Sequence, residues 1–338
     1  MHFLLQAKLV FCGLLLFMAA CQTRTQPANI TSMQQPRATV TRIIRLENVP
    51  SASGMEVLDS CLYVVSDDSP LLFRFTLGYA PLAPVNLFKS ALSVGARIPK
   101  AEKPDLEALT LLRVNGELHL LAIGSGAAAP RERAFLISGL KNPEPTVREF
   151  SLKPLYELLR KSGKAMAGGL LNMEGIAATE ANVHLVQRGV GQKHSTLIIM
   201  SRADFERVVL GESLAELPFQ VRELQAPVTE NVSGGFSGIT VFNNQFFLTA
   251  SVEDTPNPVL DGKVLGSYLG YLKNVSAPLQ LLPITDSAGA RLPLKVESLV
   301  VVKQHGPHHF TALAATDNDL GQSELLELEV YLPAAQSK

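Results

Sequence analysis

Three glutamates, Glu107, Glu174 and Glu297, each precede a small residue and an apolar run, in "LEALTLL", "MEGIAAT" and "VESLVVV". Ser53 in "SGMEVL" and Ser237 in "SGITVF" open the same pattern with a hydroxyl in place of the carboxyl. The five positions are 54, 67, 63 and 60 residues apart. Brought to one point, they form an all-oxygen set. Ionised carboxylates crowded together repel, so either their pKa values rise or a cation sits among them. A hard divalent ion taking about six to eight oxygens answers that need, and calcium suits it better than zinc because no Cys/His set accompanies the five. The other reading is structural, with the same side chains paired to backbone amides or to Arg and Lys of neighbouring repeats.

A period of this size belongs to propeller blades. Each copy continues with a tight turn, at Asp59-Ser60, Asn115-Gly116, Glu180-Ala181-Asn182, Asn243-Asn244 and His305-Gly306-Pro307. Asn-Gly is the strongest hairpin signal among them. A second strand follows in "CLYVVS", "ELHLLAIG", "VHLVQR", "QFFLTAS" and "FTALAAT", and a third after a variable loop. Outer strands fit "VNLF", "TVREFSL", "FQVRELQ" and "LQLLPIT", while the last copy ends too early to supply its own. The expectation is an all-β, five-bladed β-propeller with four-stranded antiparallel blades over residues 39–333. The N-terminal "TVTRIIRLENV" would close the ring and remove the free edges. One insertion, from Lys153, predicts a short helix between the second and third blades.

The order Ser, Glu, Glu, Ser, Glu, one per blade, resembles the central calcium ring of the calcium-activated, apyrase-type nucleotidases, with "GFSGITVF" and "KVESLVVV" most alike. The resemblance implies that Ser53, Glu107, Glu174, Ser237 and Glu297 hold calcium or the waters around it. It spans the propeller in periodicity, but in residues only these motifs. The same signature is also similar to the esterase-like phytase domain.

In a propeller the second strand returns to the face from which the first departs. Ser66-Asp67-Asp68, Gly124-Ser125-Gly126, Gln187-Arg188-Gly189, Ser251 to Asp254 and Thr316 to Asp319 therefore collect at one mouth, walled by loops carrying Arg131, Arg133, Asp261 and Lys263. For phosphoester hydrolysis, calcium would polarise a phosphoryl oxygen, Arg188 or Arg131 would neutralise developing charge, and Asp67, Glu253 or Asp317 would orient water. Basic residues look sparse at this mouth for a polyphosphate substrate. That favours the alternative, a non-catalytic module that docks a glycan, peptide or envelope protein. The absence of tryptophan weighs against a sugar-stacking platform.

The start, "MHFLLQAKLVFCGLLLFMAAC", joins a weakly basic end to an apolar run too short to span a bilayer, as in a secretory signal. Met18-Ala19-Ala20-Cys21 resembles a bacterial lipobox, which implies a signal peptide over 1–20 and a lipidated Cys21; an ordinary cleaved signal or an uncleaved anchor are the other readings. Gln22 after the cysteine follows the sorting pattern for the outer membrane. Residues 21–38 read as a flexible tether and 334–338 as a tail. Beyond the signal only Cys61 remains, so no internal disulfide forms. Of 338 residues 46% are apolar and 18% charged. Removing the first 21, which hold Lys8 and no acid, leaves 29 basic against 31 acidic residues, which excludes a nucleic acid polymer as partner. The expected protein is a monomeric envelope lipoprotein acting on a small phosphorylated substrate or an envelope protein.

Three other motifs carry less. "GSGAAA" lacks the last glycine of a dinucleotide fingerprint and leads into a strand. "GFSGI" has Ile239 where a nucleophile elbow needs glycine. The "HGPHH" cluster, His305, His308 and His309, falls in a turn on the far face.

Overall fold

The computed structural model describes residues 35–88, 97–142, 144–166, 168–189, 194–212, 216–254, 262–318 and 320–333. The expected signal peptide, Cys21, Asp261, Asp319 and the tail lie outside them. Residues from Gln35 onward form one compact unit. No helix among the described residues is long and apolar enough to cross a membrane.

The unit is all-β. It opens with β1 (Arg37–Leu46) and continues as a series of four-stranded antiparallel meanders. The first is β2 (Ala52–Leu58), β3 (Cys61–Ser66), β4 (Leu71–Thr76) and β5 (Pro81–Asn86). The second is β6 (Leu106–Val114), β7 (Glu117–Gly124), β8 (Arg133–Ser138) and β9 (Thr146–Ser151), followed by α1 (Lys153–Lys161). The third comprises β10 (Met173–Ala178), β11 (Asn182–Gln187) and β12 (His194–Ser201), then α2 (Arg202–Leu210) and β13 (Phe219–Gln225). After a small hairpin of β14 (Val228–Thr229) and β15 (Val232–Ser233) come β16 (Gly235–Phe242), β17 (Gln245–Asp254), β18 (Lys263–Leu272) and β19 (Gln280–Thr285). Last are β20 (Lys295–Gly306), β21 (His309–Asp317) and β22 (Ser323–Tyr331).

β1 pairs antiparallel with β22 and so takes the outer place in the last meander. It also pairs in parallel with β19 through Ala38–Ile284 and Thr39–Thr285, which joins the last two meanders into one eight-stranded sheet. Local chemistry explains the hairpins. Asn115 and Gly116 have φ of 49° and 80°, and Asn243 and Asn244 have 49° and 59°, the left-handed pairs that a primed two-residue turn requires. The two prolines of β5 are tolerated because that strand is the edge of its sheet.

Alternation along the strands buries one apolar set on each face, and consecutive meanders share each core. Leu72, Leu106 and Phe135 fill the first interface; Ile123, Ile176 and Phe205 the second; Val186, Phe236 and Leu248 the third. Phe247, Phe310 and Leu328 fill the fourth, and Leu62, Phe73 and Leu313 join the last meander to the first. The first strands make contacts in the same order, β2 with β6, β6 with β10, β10 with β16, β16 with β20 and β20 with β2.

Helix α1 stands where the sequence predicts one. Sequence reasoning leaves α2 unassigned, although Ser201 caps it by accepting from the Asp204 N–H at 3.0 Å and Gly211 ends it at φ 76°.

Candidate functional site

One local device places all five recurring residues. Register between first and second strands slips at Ala52/Gly54, Leu106/Ala108, Met173/Gly175, Phe236/Gly238 and Val296/Ser298. Ser53, Glu107, Glu174, Ser237 and Glu297 are therefore the extra residue of a β-bulge, which re-aims a side chain off the pleat. The small residue that follows has its own cause, the close approach of neighbouring first strands. A Cβ on Gly54 would lie 2.8 Å from the Ala108 carbonyl carbon, and one on Gly238 2.7 Å from the Glu297 oxygen.

Above the bulges lies a cavity of about 580 Å³. Ser53, Glu107, Glu174 and Glu297 line it from the first strands, and Asp67, Asp68, Arg188 and Asp317 from the ends of second strands. Met55, Leu109, Ile176, Ile239 and Leu299 pinch the passage below to a space of about 10 Å³. The floor is thus apolar, and Glu107 and Glu174 stand at the boundary.

The bulge residues divide by chemistry. Ser237 Oγ donates to the Val296 carbonyl at 2.7 Å, and Ser53 Oγ donates to the Leu106 carbonyl. Each serine is thereby tied to the residue just before the next meander's glutamate; Ser237 does not line the cavity. Glu174 accepts from the Asn172 amide and lies 3.6 Å from the Arg188 guanidinium, which is 3.9 Å from Glu253. Burial pushes Glu174 up to about 7, with Glu297 adding to the rise and Arg188 resisting it. Glu297 lies 3.2 Å from Lys295 Nζ. Burial works against the Arg188 charge, but Glu174, Glu297, Glu253 and Glu107 together hold it protonated. Glu253 sits behind Arg188 and does not line the cavity.

A second group completes the wall. Lys103 Nζ lies 2.6 Å from Asp67 Oδ2, 3.0 Å from Asp68 Oδ1 and 3.1 Å from Asp105 Oδ1. Arg97 binds Asp68 at 2.5 Å and Arg131 binds Asp105 at 2.7 Å. Burial opposes ionisation of Asp68, yet Lys103 and Arg97 hold it below the usual carboxylate range. Asp67 goes the other way: burial raises it to about 7, Asp68 and Asp105 reinforcing the rise against Lys103. Helix α1 steadies the Arg131 loop, since Tyr156 donates to the Gly124 carbonyl and Arg160 to the Gly126 carbonyl, each at 2.6 Å.

The expectation of a mouth poor in basic residues is corrected. Arg97, Lys100, Lys103, Arg131, Arg188 and Lys295 all line the cavity, against seven acids, so in formal charge the described lining is one negative charge from balance. Arg97, Lys103, Asp105 and Lys295 escape sequence reasoning. Lys103 and Asp105 lie in "KAEKPDLEA", where Pro104 and the φ of 54° at Asp105 mark a turn but nothing marks its direction. Lys295 stands two residues before Glu297 and meets its carboxylate across the bulge at 3.2 Å.

Glu107 is the exception to this pairing. No described residue gives it a hydrogen bond or an ion pair, and burial, then Glu174, Asp105, Asp67 and Glu297, all raise it well above the usual range. Glu107, Asp67 and Asp105 bring carboxylate oxygens within 4.8 Å of one another, and Asp67 Oδ1 is buried without a hydrogen-bond partner. Such an all-oxygen set suits a hard cation. Glu174 and Glu297 fall outside it.

Repeated four-stranded meanders around a charged pocket define a β-propeller protein. Residues 48–330 match a family of unknown function, DUF6929, and the chain belongs to that family. No curated protein sequence matches it. Among solved structures, glutaminyl cyclase from Myxococcus xanthus aligns at TM-score 0.43 and 13% identity over 89% of this chain and all (100%) of that one. An alpha-L-arabinanase mutant from Cellvibrio cellulosa aligns at 0.43 and 13%, over 82% and 90%. Regucalcin, a calcium-binding protein from Agrobacterium tumefaciens, aligns at 0.39 and 8%, over 89% and 98%. None of these likenesses bears on what this chain binds or does.

Proposed function

We propose that the chain is a closed five-bladed propeller whose axial pocket binds one divalent cation, calcium by the hardness of its donors, on Glu107, Asp67 and Asp105. The observation that carries this is the unpaired Glu107 carboxyl beside the orphaned Asp67 oxygen. The cyclic order of cores and first-strand contacts supports five blades, with β1 as the outer strand of the fifth. Bound there, the ion would favour the ionised forms of Glu107 and Asp67, which burial disfavours. The earlier ring of five narrows accordingly. Ser53 and Ser237 serve the backbone, and Glu174 and Glu297 take their positive charge from Arg188 and Lys295. The lipobox-like start further suggests a bacterial envelope protein anchored through Cys21.

A binding module is the primary reading, because most cations at the mouth are already bonded to carboxylates. The rim charges of Arg97, Lys100 and Arg131 favour hydrolysis of a small phosphorylated molecule as the second reading. In it Arg131 and Arg188 would meet the phosphoryl oxygens, and Asp67 or Asp317 would orient water. Calcium titration by calorimetry and melting curves, with and without chelator, test the first reading. Binding that disappears in Glu107→Gln supports it, and no heat of binding in the wild type sinks it. Turnover of nucleoside diphosphates or an activated phosphate ester, lost on chelation, would select the hydrolase.

A further inference from the structure

We infer that Lys103 is a built-in counter-cation that occupies part of the pocket's cation site and sets how tightly an external divalent ion can bind. This rests on the proposed cation site. Its side chain is 9% exposed, and its ammonium meets three carboxylates from two chain segments, Asp67 and Asp68 after β3 and Asp105 before β6. The ammonium donates hydrogen bonds to Asp67 at 2.6 Å and Asp68 at 3.0 Å and forms an ion pair with Asp105 at 3.1 Å, so its one charge is shared among three carboxylates. Two of the three carboxylates, Asp67 and Asp105, are those that share the acidic set with Glu107.

The same oxygens cannot serve both cations at full strength. An incoming divalent ion is repelled by a unit charge a few ångströms away, and it takes up carboxylates that Lys103 already neutralises. Lys103 therefore acts as an internal competitor. Without ion it holds the aspartates together across the turn at Pro104; with ion it must release Asp67 and Asp105. Arg97 and Arg131 do not take its place, because they meet the group at its edge, on Asp68 and Asp105.

The test compares calcium binding by the full chain as wild type, Lys103→Met and Lys103→Arg, by calorimetry and by the melting temperature with calcium or chelator. Lys103→Met keeps the stem and removes the charge, so its calcium Kd should fall at least about tenfold, whereas Lys103→Arg should stay near wild type. If the wild type binds and Lys103→Met binds no tighter, or more weakly, the inference is overturned while the calcium reading stands. Binding by Lys103→Met alone supports the inference and removes calcium as the wild type's ion. If neither binds, both fall. Should Lys103→Met fold only with calcium present, that dependence supports the inference. Should it fail to fold at all, the decision passes to wild-type Lys103, whose acetylation by acetic anhydride, read by mass spectrometry, must rise on adding calcium. Unchanged or reduced labelling would overturn displacement.

Discussion

A Cβ built on Gly235 would stand 2.6 Å from Nε of Arg188. The glycine that opens β16 is thus the space through which a guanidinium from the end of β11 reaches Glu174 and Glu253. Gly235→Ala should displace Arg188 and cost about 1–3 kcal/mol in urea denaturation. It should also raise Glu174 further, by removing the charge that restrains it. Wild-type stability in this variant would mean that Arg188 has another route.

Glu107 is the acid whose described neighbours give it no partner. Its protonated form is favoured in the folded chain, so its stabilising contribution is present below the ordinary glutamate value and lost as pH rises through its raised folded value. Glu107→Gln imitates the protonated form. In chelator, the variant should match wild type near pH 4 and exceed it by at least about 1 kcal/mol at pH 8. A variant less stable than wild type at pH 8 would show that the carboxylate is satisfied there.

His184 carries the opposite sign. Burial lowers it from 6.5 to about 4, against a hydrogen bond to the Ala177 backbone, and its Nδ1 has no partner. The contribution of its neutral form is present above the unfolded value and lost as pH falls from about 6.5 toward 4. Asp67 and Glu174 pull stability the other way between their ordinary values and about 7, so the difference between variant and wild type is the proper readout. His184→Gln should remove an acid-side loss of about 2–3 kcal/mol. Parallel curves would exclude His184 as the source.

Ser53→Ala should cost about 1–2 kcal/mol, because it leaves the buried Leu106 carbonyl without its side-chain donor, whereas Ser237→Ala should cost less, because Ser251 Oγ still donates to the Val296 carbonyl at 3.0 Å. Neither should change calcium affinity. A calorimetric titration flattened by either change would instead restore the serines to the ligand shell.

Much of the architecture is legible along the chain because it is written in local chemistry. Asn115-Gly116 announces its hairpin, the recurring glutamate and small residue announce equivalent positions in successive meanders, and "KPLYELLRK" announces α1. The outer position of "TVTRIIRL" beside β22 follows from a missing strand. Helix α2 is written locally too, in the Ser201 cap, the Asp204 of its first turn and the Gly211 stop. The cations of the pocket were not readable in the same way. Lys103 and Arg97 leave irregular segments whose direction depends on which aspartates they meet, and Asp67 and Asp68 come from another turn.

From its sequence alone the protein has its strands, its turns and five residues at equivalent positions, since each depends on neighbours a few positions away. Only the tertiary structure decides their charge partners. Two bulge glutamates face a cation, Glu107 faces other acids, and the serines bond to backbone. Apart from the local pair of Lys295 and Glu297, those outcomes depend on side chains brought together from separate strands and turns, through distances of about 3 Å that no periodicity encodes.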